Sequence, residues 1–253
     1  MTLAPDTPLA GAVHPSCNHE PRRGGPADML LLHYTGVATA AVAIDWLSRP
    51  ESKVSCHYVV DEHGLVTQMV AESRRAWHAG VAVWAGETDI NSRSIGIEIH
   101  NPGHGLGYTE FPPAQLRAVV ALCRDILARN AIPADRVLGH SDVAPLRKAD
   151  PGEKFPWAAL AEAGIGLWVD PPEATGDAGY GPGAGGPAVA AAQETLAAIG
   201  YGIRRTGEMD PLTVAVLTAF QRRFRPARVD GRLDTGTRVA IAQVGARFQG
   251  PAA

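Results

Sequence analysis

The sequence of 253 residues predicts a mixed α/β domain followed by a small all-α domain. Three observations carry this reading. Short apolar runs alternate with helix-period segments through about the first 170 residues. From Asp170 to Pro187, ten of eighteen residues are Gly or Pro, a composition suited to a linker or an extended wrap over the surface. Beyond it only helical periodicity is left.

In the first part, Met29–Tyr34 is a short apolar run suited to a buried strand. Ala40–Leu47 reads as a helix. His57–Asp61 and Leu65–Val70 read as two strands around Asp61-Glu-His-Gly64, a hairpin in which Gly64 is free to take positive φ. Ser94–Ile99 alternates, placing Ile95, Ile97 and Ile99 on one face and Glu98 on the other. Leu116, Val119, Val120, Cys123, Ile126 and Leu127 recur at helical spacing, so 113–130 is an amphipathic helix. Val137-Leu-Gly139 is another short apolar run.

In the second part, Val189–Ile199, Leu212–Phe224 and Thr237–Phe248 are three candidate helices. Asp210-Pro211 supplies an N-cap followed by Pro at the first helical position. Gly207-Glu-Met-Asp-Pro-Leu-Thr213 and Gly231-Arg-Leu-Asp-Thr-Gly-Thr237 share Gly-x-[Met/Leu]-Asp-x-x-Thr, so each starts a helix after a turn. Two copies are too few for a solenoid, which leaves a small bundle.

Composition narrows the function classes. A hydrophobic fraction of 45% supports a real core, and no apolar run approaches the ~18 residues of a membrane span. Three Cys without a CxxC exclude a disulfide scaffold and a Cys-rich zinc module. The net charge of −3 averages −7 over residues 1–187 and +4 over 188–253. That excludes a broadly basic nucleic-acid binder, and scattered Arg on the second part read as a solvated face. Residues 1–28 are broken by Pro and acidic residues, and the run Met29–Leu32 is too short for an export signal. The expectation is a cytoplasmic protein, with the periplasm or cell envelope as the alternative if translation starts upstream.

The chemistry concentrates where polar residues interrupt apolar strands. His33 follows three Leu, and is either a metal ligand or a satisfied core residue. Glu98 either faces solvent or points into a site. His140 ends the Val137 run. Lys148 and Asp150 stand at i and i+2 before Pro151, either as part of a site or as a solvated ion pair. Two His and one Asp make a three-ligand set that leaves a fourth zinc position open. A separate Glu can then move a water proton, and a Lys can neutralise an oxyanion. Spacing alone does not establish this, because the ligands span 33 to 150 without a compact HExxH.

The surrounding words are more specific. Leu32-His-Tyr-Thr35, Ala76-Trp-His-Ala-Gly80, Ser94-Ile-Gly-Ile-Glu98, Gly139-His-Ser-Asp-Val-Ala-Pro-Leu-Arg-Lys-Ala-Asp-Pro-Gly152 and Phe155-Pro-Trp157 together resemble the zinc N-acetylmuramoyl-L-alanine amidases of the AmpD/AmiD type. The resemblance covers roughly 15–165 and is closest to the AmiD branch. That branch carries a helical C-terminal domain similar to peptidoglycan-binding modules, matched here by Phe220-Gln221 and Phe224-Arg-Pro226. It implies a central mixed sheet flanked by helices and one Zn²⁺ per chain on His33, His140 and Asp150. It also implies Glu98 as the residue that activates water and Lys148 as the residue that stabilises the transition state. The implied reaction is hydrolysis of the bond between the lactyl group of MurNAc and L-Ala, in peptidoglycan or muropeptides. The implied organisation is a catalytic domain at 1–170, a linker at 171–187 and a peptidoglycan-binding-like domain at 188–253, acting as a monomer.

His57 and His78 are expected substrate contacts on the same resemblance, and Asn101, just after the Glu98 strand, is expected to contact stem peptide or sugar, with a turn role before Pro102 as the alternative. Trp84 and Tyr108 either line a sugar cleft or pack in the core or rim. Cys56 beside His57 reads as a small buried residue and not as a nucleophile. The competing function is a non-catalytic peptidoglycan recognition protein of the same fold. The complete set of three ligands, Glu98 and Lys148 favours the enzyme. No nucleic-acid partner is expected.

Overall fold

The computed structural model describes residues 3–170 and 176–248. Part of the expected linker, 171–175, lies outside the described residues.

The elements follow the apolar pattern in chain order. They begin with β1 (Ala12–Val13), β2 (His19–Pro21), β3 (Met29–Tyr34), α1 (Ala40–Ser48), β4 (Tyr58–Val60), β5 (Val66–Gln68) and β6 (Arg74–Ala76). Next come α2 (Ile90–Arg93), β7 (Ser94–Ile99), α3 (Pro113–Arg129), β8 (Val137–Gly139), α4 (His140–Val143) and α5 (Trp157–Glu162). The helical part is α6 (Pro187–Ile199), α7 (Pro211–Phe224) and α8 (Thr235–Phe248). Six strands form one mixed sheet in the order β1-β5-β4-β7-β3-β8, and β2 pairs with β6. The expected central mixed sheet flanked by helices is borne out.

The hairpin strands β4 and β5 are shorter than expected. The Asp61 carboxylate accepts the His63 and Leu65 N–H groups, so the turn begins at Asp61 and absorbs the strand ends. Gly64 closes it at φ 90°.

Alternation along β3 and β7 divides the core. Leu30, Leu32, Ile95, Ile97 and Ile99 meet Val119, Cys123 and Ile126 of α3. Met29 and Leu31 lie on the other face, in a core continuous with Val189, Leu196, Val216, Phe220 and Phe224 of the helical part. The two parts therefore share one apolar interior. The Gly/Pro-rich stretch after residue 175 wraps rather than spans: Tyr180 pairs with Leu233 and Gly185 with Glu208.

The repeated Gly-x-[Met/Leu]-Asp-x-x-Thr words each build a turn around a buried Gln. Gln193 accepts the Gly207 N–H and donates to Thr213, while Gln221 accepts the Gly231 N–H and donates to Thr237. Asp210 and Asp234 cap α7 and α8 by accepting the Thr213 and Thr237 N–H groups, each at 2.7 Å. The second cap starts α8 two residues earlier than expected.

The arginines of this part are not mainly a solvated face. Arg223 and Arg225 are buried on Asp142 and Asp234, and Arg228 pairs with Asp230 and Asp234. Their charge is spent internally. No helix among the described residues is long and apolar enough to cross a membrane.

Candidate active site

Strands β3, β7 and β8 run parallel, with His33 opposite Glu98 and Leu32 opposite Gly139. Their carboxyl ends therefore bring His33, Glu98 and His140 to one edge of the sheet, where ligands of α/β sheets bind. His33 and Glu98 point to the face away from α3 because Leu32 and Ile97 occupy the other. Asp150 returns to this edge as its carbonyl accepts the Ser141 N–H at 2.9 Å.

Three buried donor atoms converge. His33 Nδ1 lies 2.9 Å from His140 Nδ1 and 3.1 Å from Asp150 Oδ2, and His140 Nδ1 lies 3.0 Å from the same oxygen. The surrounding hydrogen bonds assign the protons. Ser94 Oγ donates to the Ile90 carbonyl at 2.6 Å, so it accepts from His78 Nε2–H at 3.4 Å. His78 Nδ1 then accepts from His33 Nε2–H at 3.0 Å. His140 Nε2–H donates to the Ala79 carbonyl at 2.9 Å. The Nδ1 atoms of His33 and His140 are both left with lone pairs, aimed at a carboxylate. Such a cluster is repulsive unless a cation joins it. Ligands about 2.0–2.1 Å from a tetrahedral zinc stand about 3.3 Å apart, close to the spacing found. The residues present fit a zinc ion.

The electrostatics agree. Burial, reinforced by His140, pushes His33 down to about 4, so the imidazole is neutral at pH 7. Burial pushes the Asp150 carboxyl up, and the depression that His140 and His33 impose against it requires positive charge opposite the carboxylate, which a bound cation would supply once both Nδ1 atoms are unprotonated. Burial and the Asp150 charge push Glu98 well above the ordinary carboxyl value, with Lys148 opposing. Glu98 Oε2 is buried without a hydrogen-bond partner. A carboxylate so placed suits proton transfer.

Glu98, His78, His140, Lys148 and Asp150 line one cleft of about 530 Å³. Trp46, Trp77 and Arg147 line it as well, and sequence reasoning had not singled them out. An isolated Trp or Arg carries no positional signal until the fold is known.

The expected substrate contacts divide. His78 reaches the cleft but is held behind His33. His57 is fully buried, accepting the Gly96 N–H at Nδ1 and donating to the Arg74 carbonyl from Nε2. Burial, with Arg22 adding to it, pushes His57 down to about 3. It braces β7 instead of lining the cleft. Asn101 donates to the Thr109 carbonyl and accepts the Gly103 N–H, which is the turn role. Trp84 is buried against Tyr201, and Tyr108 packs on Tyr34 and His104. Cys56 is buried with its thiol pushed well up by burial, so it holds its proton.

Gly96 makes room for His78. A Cβ there meets His78 Nδ1 at 2.5 Å. Gly96→Ala is expected to displace the ring from His33 and weaken zinc binding about 10–100-fold, measured by chelator competition.

Residues 23–153 match the family described as N-acetylmuramoyl-L-alanine amidase. AmiD of Escherichia coli strain K12 is 37% identical over 235 residues, which cover 85% of this chain and 80% of the relative. The chain belongs to the N-acetylmuramoyl-L-alanine amidase family. The likeness read from the motifs is borne out, including the AmiD branch, and this amidase is an enzyme. Residues 185–241 match a peptidoglycan-binding-domain family.

Solved structures extend the likeness. The amidase aligns with E. coli AmiD, solved with anhydro-N-acetylmuramic acid-L-Ala-D-gamma-Glu-L-Lys, at TM-score 0.74 and 33% identity, over 92% of this chain and 94% of the other. It aligns with AmpDh3 of Pseudomonas aeruginosa, in complex with anhydromuramic pentapeptide, at TM-score 0.76 and 33% identity. That alignment covers 91% of this chain and 94% of the other.

Proposed function

We propose that this amidase holds one zinc ion on His33, His140 and Asp150 and cleaves the amide between the MurNAc lactyl group and L-Ala of muropeptides. The observation that carries the reading is the convergence of two imidazole lone pairs and a carboxylate, 2.9–3.1 Å apart, beside the unpartnered Glu98 oxygen. When bound, zinc supplies Lewis acidity, which makes water acidic near neutral pH and polarises a carbonyl.

The chain's own groups do the rest. Glu98 takes a proton from the attacking water. As the C–N bond breaks, Glu98 returns that proton to the departing L-Ala nitrogen. The products are a muramic acid carboxylate and a peptide with a free amino terminus. The Lys148 ammonium lies in the cleft to offset charge on the carbonyl oxygen. His78 fixes the tautomer and tilt of His33. Residues 1–170 form the catalytic unit, 171–187 the connection and 188–253 the peptidoglycan-binding unit.

Chelation is expected to abolish muropeptide cleavage and added zinc to restore it; full activity after chelation overturns the reading. Lys148→Ala is expected to lower kcat about 10²–10³-fold with zinc content unchanged. Equal loss of zinc and turnover in that variant assigns Lys148 to the scaffold instead.

A further inference from the structure

Asp142 stands two residues from His140 and is almost completely buried. Its carboxylate accepts three hydrogen bonds. One comes from the Gly139 N–H at 2.8 Å, across the bend where β8 passes into α4. The other two come from the helical domain: Tyr201 O–H at 2.8 Å and Arg223 at 3.1 Å. Arg223 is itself 3% exposed, stacks 4.3 Å over the Trp157 ring and donates to the Leu167 carbonyl.

The helical domain is thus the source of the only charge paired with this buried carboxylate among the described residues. Backbone contacts tighten the same junction. Val83 N–H donates to the Val143 carbonyl, and Ala85 N–H donates to the Gly200 carbonyl. Residues 83–85 are therefore tied to α4 on one side and to the helical domain on the other. The Tyr201 ring packs on Trp84 at 4.9 Å. Packing leaves little slack here, since a Cβ on Gly202 would meet Val83 at 2.2 Å.

We propose that the helical domain is a working part of the metal centre: Arg223 and Tyr201 position Asp142, and Asp142 positions His140. The inference rests on the zinc reading of the site. A buried carboxylate that loses its cationic partner moves toward water. That movement alters its bond to the Gly139 N–H and shifts the bend from which His140 projects. Metal ligands tolerate only about 0.2 Å of error, so the effect registers as zinc affinity. A wall-binding module on a free tether has no such coupling.

The test measures zinc affinity by chelator competition, at a temperature where each protein is fully folded by near-UV circular dichroism. Arg223→Met and Tyr201→Phe are compared with wild type and with Gln193→Leu. Gln193 pins the 206–208 turn and does not touch Asp142. Arg223→Met is expected to weaken zinc binding about 10–100-fold, with Tyr201→Phe in between and Gln193→Leu at the wild-type value. Should Arg223→Met fail to fold, Tyr201→Phe carries the test, because it keeps the ring packed on Trp84. Folded variants with wild-type zinc affinity overturn the inference, as does an equal loss in Gln193→Leu. Wild-type protein that binds no zinc overturns the metal reading, and this inference with it.

Discussion

Glu98→Gln is expected to lower kcat by about 10²–10⁴-fold with metal content unchanged. Gln preserves the shape of the side chain but cannot accept and return a proton. None of the three convergent ligand atoms belongs to Glu98, so metal content is expected to stay at the wild-type level. The same substitution stabilises the metal-free fold. Burial and the Asp150 charge raise the Glu98 pKa, so the folded state prefers the protonated form. Such a group favours folding fully below its ordinary value of 4.5, and the advantage is lost as pH rises toward the folded value. Gln does not ionise. Chelated Glu98→Gln protein is therefore expected to unfold at a higher temperature than chelated wild type at about pH 8, with a smaller gap at about pH 5. A gap that shrinks as pH rises contradicts the assignment. The trade of stability for activity is what a carboxyl held at a proton-transfer position should show.

Asp150→Asn is expected to abolish both zinc binding and turnover. The amide keeps the size of the side chain but removes the anionic oxygen that faces both Nδ1 atoms. The loss of affinity is expected to exceed the about 10–100-fold that follows loss of a supporting partner such as His78. Paired with Glu98→Gln, this substitution separates holding the metal from moving the proton. Metal analysis after dialysis, run beside a muropeptide assay, reads both at once. Asp150→Asn protein that retains zinc removes Asp150 from the ligand set.

The candidate site was legible mainly through its motif words, because polar residues that interrupt apolar strands left core and solvent roles open until the resemblance singled them out. His33 and Glu98 each break a buried strand, and register places them side by side. The long helices α3, α6, α7 and α8 were legible because apolar periodicity marks a buried face. Elements of two to four residues, such as β1, α2 and α4, are too short to carry a period. The role of His78 was not legible. The Trp-His-Ala-Gly word suggested a cleft residue, while its bond to His33 depends on the gap over Gly96. His57 was expected in the cleft from the resemblance, yet the backbone of β7 takes its Nδ1.

The junction between the parts was the least readable feature. A Gly/Pro cluster reads as separation, and nothing local to Arg223 or Tyr201 says that their partner is Asp142. Pairs separated by 81 and 59 residues leave no local pattern. Only the fold shows that Arg223, Arg225 and Arg228 are matched to the buried acids Asp142 and Asp234, while Arg204, Arg205, Arg238 and Arg247 stay exposed.

The most direct test of the central claim is cleavage of a defined MurNAc peptide in heavy-oxygen water by the zinc-loaded protein, followed by mass spectrometry of both products. Hydrolysis of the lactyl amide places one heavy oxygen in the carboxylate of the muramic acid product. It leaves the released peptide unlabelled, with a free L-Ala amino terminus. Label in the peptide fragment, or an intact MurNAc–L-Ala bond, contradicts the account.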